Sequence, residues 1–227
     1  MTKKAWIIFV TGCLVLFVGL LYYTKKDSVD VSRVDGMKVL TASTDSGNIG
    51  DHTFGNKNAK VVLIEYGDFQ CPGCGSLHPA LKSAIEKHKD NVVFVFRNFP
   101  LTQIHPNAKA AAAAAEAAGL QGKYWEMHNL LYERQSGWSS ASTDSRTNVF
   151  SQYAAEIGLN KDQFAKTLNE KSEEINRKIN FDRALGFKYK VEATPTLFVN
   201  GRQVEQKELE GKDSIDKILT DAVKAAK

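Results

Sequence analysis

Cysteine is scarce in this sequence, which limits the metal sites that it could build. Only Cys13, Cys71 and Cys74 occur among 227 residues. A structural zinc site takes four ligands, usually from two Cys or His pairs of similar spacing. Neither a second pair nor a His-x-x-x-His motif accompanies Cys71 and Cys74. We therefore predict no metal site.

The chain also lacks the signatures of several common functions. It has no Gly-rich phosphate-binding loop and no evident Ser/His/Asp arrangement. Residues 1–26 hold four lysines and no acid, which leaves the rest of the chain with 26 basic and 26 acidic residues. The net charge of +4 therefore comes from the N-terminal segment, and no surface for nucleic acid is indicated.

A long apolar stretch is present near the N-terminus. Residues 5–23 contain no charged side chain and would span roughly 28 Å as a helix, close to the thickness of a bilayer core. Trp6 lies at one end, and Tyr22 and Tyr23 lie at the other, as in an aromatic belt. A cleaved signal peptide or a lipid on Cys13 is the alternative. We expect residues 1–24 to be a membrane anchor with one retained transmembrane helix that contacts membrane lipid.

The stretch that follows predicts a linker. Residues 25–50 are rich in Asp, Ser, Thr and Gly and show little periodicity, with at most a short edge strand at 37–40. Such a linker is too short to contain a dimerisation domain. We therefore expect a monomer.

The strongest local signal is a Cys-x-x-Cys motif between a strand and a helix. The apolar, β-branched run 61–66 predicts a buried strand, and residues 75–89 have helical spacing. In this context the motif is typical of a redox site. Cys71 would lie at the helix N-terminus, whose unpaired N–H groups and dipole favour a thiolate. Cys74 lies one turn deeper, so we predict that Cys71 attacks and Cys74 resolves. An inert disulfide is the alternative.

The order of the remaining elements predicts the fold class. After the motif, a strand is predicted at 91–97 and a helical block at 106–185. A strand at 196–199 then leads into a hairpin at Asn200-Gly201, and a final helix is predicted at 213–227. Within the block, the polar stretch 137–148 is expected to be a loop, with the next helix at 149–157. Without the helical block, a thioredoxin-like core remains. We predict an α/β thioredoxin-like fold over 51–227 with an inserted helical domain.

Four stretches taken together resemble the DsbA-like thiol–disulfide oxidoreductases, especially their membrane-anchored bacterial members. They are GNKNAKVVLIEYGDFQCPGC, VVFVFRNFPL, IHPNAKAAAAAAEAAGLQGKYWEMHNLLYERQ and EATPTLFVNG. The resemblance covers about residues 51–227, and its motifs are specific as a set rather than singly. It implies thiol–disulfide exchange with no bound cofactor, the redox group being a Cys71–Cys74 disulfide.

The resemblance also implies roles for matching positions. Pro195 matches the family's cis-proline beside the Cys-x-x-Cys motif, which would leave the Thr194 backbone free to pair with an extended substrate chain. An ordinary proline at a strand start is the alternative. Glu65 matches the family's acid beneath the cysteines, whose raised pKa would let it take the Cys74 proton. Strand alternation leaves open that Asp68 holds this place instead.

The two residues between the cysteines are expected to tune the redox potential. Pro72 suits the first turn of a helix. Strongly oxidising members of the family carry histidine where this sequence has Gly73, and glycine has no side chain to stabilise a thiolate. We therefore predict a Cys71 pKa that is less depressed, and a disulfide that is less oxidising, than in those members.

The motif and the resemblance together predict a dithiol oxidase that donates the Cys71–Cys74 disulfide to exported proteins with free cysteines. Its catalytic domain is expected to face an oxidising, extracytoplasmic compartment from a single-pass anchor in the cell membrane. The resemblance implies reoxidation by a quinone-linked membrane oxidase of the DsbB or vitamin K epoxide reductase-like type. The alternatives are a membrane-tethered reductase and a non-catalytic thioredoxin-like binding module.

Overall fold

The computed structural model describes residues 2–26, 29–211 and 213–226. The chain divides into two units, one ending at Asp30 and one beginning at Val31. The first unit contains helix α1, Lys3–Lys26. Over the described ranges, no helix is both long enough and apolar enough to cross a membrane. The predicted transmembrane helix finds no support in those ranges, and the side chains of Tyr22 and Tyr23 lie outside the described residues.

The second unit is built on a five-stranded sheet. Its strands are β1 Thr53–Gly55, β2 Val61–Gly67, β3 Val92–Asn98, β4 Thr196–Val199 and β5 Arg202–Gln203, in the spatial order β1-β3-β2-β4-β5. Strands β2 and β3 run parallel and the other neighbours run antiparallel. Both central strands are buried, which explains their continuous apolar runs. The strands predicted around the motif and the hairpin are confirmed, whereas β1, three residues in a turn-rich stretch, was not predicted.

Helices cover the sheet and form the insertion. They are α2 Pro72–His88, α3 Ala108–Gly119, α4 Tyr124–Glu133, α5 Thr143–Glu156, α6 Lys161–Glu170, α7 Ser172–Lys188 and α8 Ser214–Ala225. Helices α3 to α7 lie between β3 and β4 in the chain, which confirms the helical insertion predicted at 106–185. Helices α2 and α8 pack against each other, and the alanine-rich α3 is buried along most of its length. Together with the sheet, these elements make the thioredoxin-like fold that the sequence predicts.

The polar stretch 137–148 is only partly the loop that the sequence predicts. Helix α5 begins at Thr143, where the side chain of Ser142 accepts a hydrogen bond from the backbone N–H of Ser145. A serine in this position satisfies one of the unpaired N–H groups of the first turn. The prediction began this helix at Val149 because it relied on apolar spacing and missed the cap.

Residues 31–50 pack as part of the second unit, so the prediction of a linker over this stretch was wrong. Val31 is buried, and the ammonium group of Lys188 donates to three backbone carbonyls of residues 31–34 at 2.6–3.1 Å. The stretch 37–40 is irregular rather than an edge strand. Composition did not indicate this packing because the segment is held through its backbone by distant side chains.

A buried ionic network fixes this segment to the sheet and to α7. Arg97 on β3 donates to Asp51 at 2.8 Å and to the backbone carbonyls of Gly36 and Lys38. Lys178 on α7 donates to Asp51 at 3.1 Å. Burial raises the pKa of Asp51, but the charges of Lys178 and Arg97 outweigh it and lower that pKa to about 2. The network is therefore ionised at neutral pH and depends on every member being paired.

We expect Arg97→Met to destabilise the protein by about 3–5 kcal/mol, because it removes a counter-ion of the buried Asp51 and leaves two backbone carbonyls unpaired. Urea unfolding followed by circular dichroism measures this loss. Arg134→Met is the matched control, since Arg134 pairs with Glu156 at the surface, where both side chains are about half exposed. Equal unfolding midpoints for the two variants would contradict a stabilising role of the network.

Candidate active site

Cys71 and Cys74 lie at the start of α2. Strand β2 ends at Gly67, a short loop follows, and Cys71 is the extended residue immediately before the helix, whose first residue is Pro72. The carbonyl of Cys71 accepts a hydrogen bond from the N–H of Gly75 at 3.1 Å, which closes the first turn. Proline fits here because its missing N–H would have no partner in the first turn. The structure therefore places both cysteines at a helix N-terminus.

The Cys71 sulfur lies where hydrogen-bond donors stabilise negative charge. As a thiol, it donates a hydrogen bond to the Thr194 carbonyl oxygen at 3.3 Å. As a thiolate, it accepts a hydrogen bond from the Cys74 thiol, which is the largest stabilising contribution, and others from the backbone N–H groups of Gly73 and Cys74. These donors outweigh partial burial and lower the pKa of Cys71 to about 5.

The Cys74 sulfur has the opposite environment. Cys74 is 1% exposed, against 9% for Cys71. Burial raises the pKa of Cys74 well above its usual value, and the hydrogen bond to Cys71 and the charge of Glu65 raise it further. The reduced site therefore holds one thiolate, Cys71, and one thiol, Cys74, at neutral pH.

We expect Cys74→Ala to raise the pKa of Cys71 in the reduced protein, because it removes the donor that stabilises the thiolate most. Cys74→Ser, which keeps an O–H donor of similar size, should raise this pKa less. The pH dependence of thiolate absorbance and of iodoacetamide alkylation measures both, in a Cys13→Ser background that removes the third thiol. Equal Cys71 pKa values in the two variants would show that the Cys74 side chain has no such role.

Glu65 lies on the central strand beneath the cysteines. It is 2% exposed, and its Cα is paired with those of Phe96 on β3 and Leu197 on β4. Burial, and after it the negative charge of Cys71, raises the pKa of Glu65 to about 8. A carboxyl with such a pKa exchanges protons near neutral pH, as the predicted role requires.

Asp68, the alternative to Glu65, is buried as well but has its own partners. Its carboxylate accepts hydrogen bonds from the backbone N–H groups of Gln70 at 2.7 Å and Leu101 at 2.8 Å. The same carboxylate lies 2.8 Å from Nδ1 of His105. These bonds join the active-site loop to the loop after β3. The carboxylate of Asp68 is therefore engaged in holding these two loops together.

We expect the stability of the oxidised protein to fall as pH rises above about 4.5, because the unfolded chain releases the Glu65 proton that the folded chain keeps. In the oxidised form neither active-site thiol titrates, and burial still raises the Glu65 pKa. Glu65→Gln should flatten this slope, because glutamine does not titrate. Urea unfolding at several pH values measures it. An unchanged slope in Glu65→Gln would mean that Glu65 ionises normally in the fold.

The residues predicted to bind substrate and tune the potential surround the Cys71 sulfur. The peptide bond between Thr194 and Pro195 is cis, as the resemblance implied. A Cβ placed on Gly73 would lie 3.4 Å from Cδ of Pro195 and 3.6 Å from Sγ of Cys71. A side chain at this position would therefore touch both the sulfur and the proline. Gly73 leaves that space without a group that could stabilise the thiolate.

The helical insertion contributes contacts that the sequence did not reveal. The side-chain amide of Gln135 donates to the carbonyls of Phe69 at 2.7 Å and Cys71 at 2.9 Å. Gln70 is buried, and its amide donates to the carbonyl of Ser139 at 2.6 Å. Gln70, a polar residue directly before Cys71, was the signal in the sequence that could have indicated such contacts. The insertion therefore fixes the loop that carries Cys71.

Two buried imidazoles lie beside the site. Burial lowers the pKa of His78 to about 4 and that of His128 to about 3, so both are neutral at pH 7. In the part of the chain that the structure describes, no three His, Cys, Asp or Glu side chains are grouped to hold a metal ion. The absence of a metal site stays a prediction.

Comparisons with known proteins agree with this fold. A protein-family model described as Thioredoxin matches residues 47–220. BdbD from Bacillus subtilis is similar in structure, with a TM-score of 0.65 and 21% identity over 82% of this chain and 99% of that one. Alpha-DsbA2 from Wolbachia pipientis has a TM-score of 0.64 and 21% identity over 78% of this chain and 87% of that one. A thioredoxin-like oxidoreductase from Silicibacter pomeroyi is 26% identical over 79% of this chain and 99% of its own, with a TM-score of 0.59.

Among curated proteins, the similar stretch belongs to much longer chains. Na⁺/H⁺ antiporter NhaA 1 of Salinispora arenicola is 39% identical over 153 residues, which are 67% of this chain and 22% of the antiporter. Na⁺/H⁺ antiporter NhaA 1 of Mycolicibacterium vanbaalenii is 37% identical over 151 residues, 66% of this chain and 23% of its own length. The chain spans less than a quarter of these relatives, so the similarity concerns one part of each.

Proposed function

The chain belongs to the thioredoxin family, and on that premise we propose that it is a DsbA-like, extracytoplasmic dithiol oxidase. It donates the Cys71–Cys74 disulfide to exported proteins with free cysteines. The observation that carries this proposal is the unequal pair of sulfurs: a Cys71 pKa lowered to about 5 and a Cys74 pKa raised by burial. Stabilising the reduced form in this way makes the disulfide a better oxidant.

The first step breaks the enzyme disulfide. A client thiolate attacks the sulfur of Cys71, the more exposed of the two, and a mixed disulfide forms. The Cys71–Cys74 bond breaks and its electron pair goes to Cys74. Because the pKa of Cys74 is raised by burial, this sulfur must take a proton. Glu65, with a pKa of about 8, is protonated at neutral pH and supplies it.

The second step releases the oxidised client. A second client thiolate attacks the client sulfur of the mixed disulfide, and Cys71 leaves as a thiolate. Its low pKa makes it a good leaving group, which speeds this step. Two electrons have then passed from the client to the enzyme, which holds the Cys71 thiolate and the Cys74 thiol. The backbone of Thr194, next to Pro195, lies beside the Cys71 sulfur and is placed to pair with the client chain during both steps.

The enzyme works at a membrane and is reoxidised there. The apolar, uncharged residues 5–23 support a single-pass anchor, with the catalytic domain on the extracytoplasmic side. The similar curated proteins are named as Na⁺/H⁺ antiporters, which supports a membrane setting for this domain. Reoxidation needs an acceptor for two electrons, and a quinone-linked membrane oxidase of the DsbB or vitamin K epoxide reductase-like type is the proposed partner. The domain acts as a monomer.

A membrane-tethered reductase is the second candidate. Gly73 favours it, because no side chain at this position stabilises the Cys71 thiolate. A less stabilised thiolate lowers the reduction potential and favours electron donation. The two candidates use the same residues. The oxidase would have a reduction potential above that of its client, and the reductase one below it.

We expect the reduction potential of Cys71–Cys74 to lie between those of thioredoxin, about −270 mV, and DsbA, about −120 mV. The donors around Cys71 raise it above the first value, and the absence of a side chain at Gly73 keeps it below the second. Equilibration of the full chain in detergent with glutathione buffers measures it, in a Cys13→Ser background so that one dithiol is titrated.

The outcomes separate the candidates. A potential at or below that of thioredoxin would replace the oxidase with the reductase, and one equal to that of DsbA would contradict the argument from Gly73. The Cys71→Ser variant tests the third possibility. Loss of client oxidation in this variant is expected, whereas a non-catalytic binding module would keep its function.

A further inference from the structure

An open groove lies between the end of α7 and the loop that follows β3. Its volume is about 500 Å³, within the range of ligand-binding clefts. One wall consists of Arg183, Phe187 and the stretch 190–192, and the other of Phe99 and the loop after it. Neither the proposed disulfide exchange nor the network at Arg97 uses this surface.

Phe187 gives one wall of the groove an exposed aromatic surface. Phe187 is 57% exposed, although large apolar side chains of a domain are usually covered. Its ring packs edge-on against the buried ring of Phe99, with 5.2 Å between the ring centres. Gly186 allows this packing, since a Cβ there would lie 2.6 Å from the Phe99 ring. The contact with Phe99 restricts the Phe187 ring, which lowers the entropy cost of binding a ligand against it.

Two cations border the aromatic surface. The guanidinium of Arg183 lies 5.1 Å from the centre of the Phe187 ring. Lys190, in a left-handed turn with φ of 58°, forms the end of the same wall. Within the described residues neither side chain pairs with a carboxylate. Glu192 is the one acid in the lining, so the groove keeps a net positive charge.

The groove lies near the proposed substrate site, since Leu101 in its lining donates a hydrogen bond to Asp68 of the active-site loop. The wall at 190–192 ends two residues before Thr194, whose carbonyl oxygen lies 3.3 Å from the Cys71 sulfur. An extended chain advances about 3.3 Å per residue. A polypeptide paired with Thr194 would therefore bring side chains two or three positions from its reacting cysteine into the groove.

We propose that this groove is a subsite that selects client segments carrying an acidic and an aliphatic side chain two or three residues from the reacting cysteine. The aliphatic side chain packs on Phe187, and the carboxylate pairs with Arg183 and Lys190. This inference rests on the proposed function, because it assigns the clients of the same disulfide exchange. Arg and aromatic residues are the types that most often dominate binding energy at protein interfaces.

The test is a competition between dithiol peptides that differ in one charge. The oxidised full chain is mixed with short peptides containing two cysteines and the pair Leu-Glu, Leu-Gln or Leu-Lys at two or three positions on either side of the first cysteine. The rate of peptide oxidation, as kcat/KM, is measured by mass spectrometry. We expect the Glu peptide to react about fivefold faster than the Lys peptide at low salt, and the difference to shrink at high salt.

Charge reversal in the groove should reverse this preference. In Arg183→Glu/Lys190→Glu the Lys peptide should react faster than the Glu peptide. The matched control is Lys161→Glu/Lys166→Glu on α6, which changes the net charge equally at exposed positions outside the groove and should keep the wild-type ratio. Circular dichroism and thermal unfolding check that both variants fold.

Each outcome has a separate meaning. Equal rates for the Glu and Lys peptides in the wild-type chain, or the same ratio in the groove variant and in its α6 control, would overturn the subsite. Failure of the wild-type chain to oxidise even the Gln peptide would instead overturn the proposed oxidase. A Glu preference that disappears only in the groove variant supports both.

Discussion

The site depends on the unequal solvation of two sulfur atoms that lie one helical turn apart. Cys71 is at the helix N-terminus, within reach of unpaired N–H groups and of the Cys74 thiol, so negative charge is stable there. Cys74 is inside the protein, where charge is costly and the charges of Glu65 and Cys71 disfavour more of it. The helix alone would supply the first environment. The second requires the sheet, because β2 places Glu65 where its charge acts on Cys74.

The rest of the fold holds this arrangement from three directions. The cis-proline segment that leads into β4 brings the Thr194 carbonyl to the Cys71 sulfur. The insertion holds the loop before Cys71 through Gln135. The buried charges around Arg97 attach the stretch 31–51 to β3 and α7, so this stretch adds to the stability of the domain that carries the site.

Much of this could be predicted from the sequence because it is local. The runs around 61–66 and 91–97 are apolar because they form strands buried in the sheet. The roles of the two cysteines follow from the electrostatics of a helix N-terminus. The helical insertion follows from helix propensity and spacing. The packing of residues 31–50 could not be predicted, since it depends on Lys188 and Arg97, which are far away in the chain. Arg97 did offer a signal, because an arginine in a strand buried on both faces needs a buried partner.

The contacts of Gln70 and Gln135 mean that the insertion is not a removable module. The amide of Gln70 and the carbonyls of Phe69 and Cys71 take their partners from residues of the insertion. Excising the helices would leave the amide of Gln70 and the carbonyl of Phe69 without these partners near the reactive sulfur, at about 1–3 kcal/mol for each buried group. A descendant of this protein could therefore shorten the insertion only after new partners for the loop had evolved. The helical block and the thioredoxin core must change together, although the chain order makes them look independent.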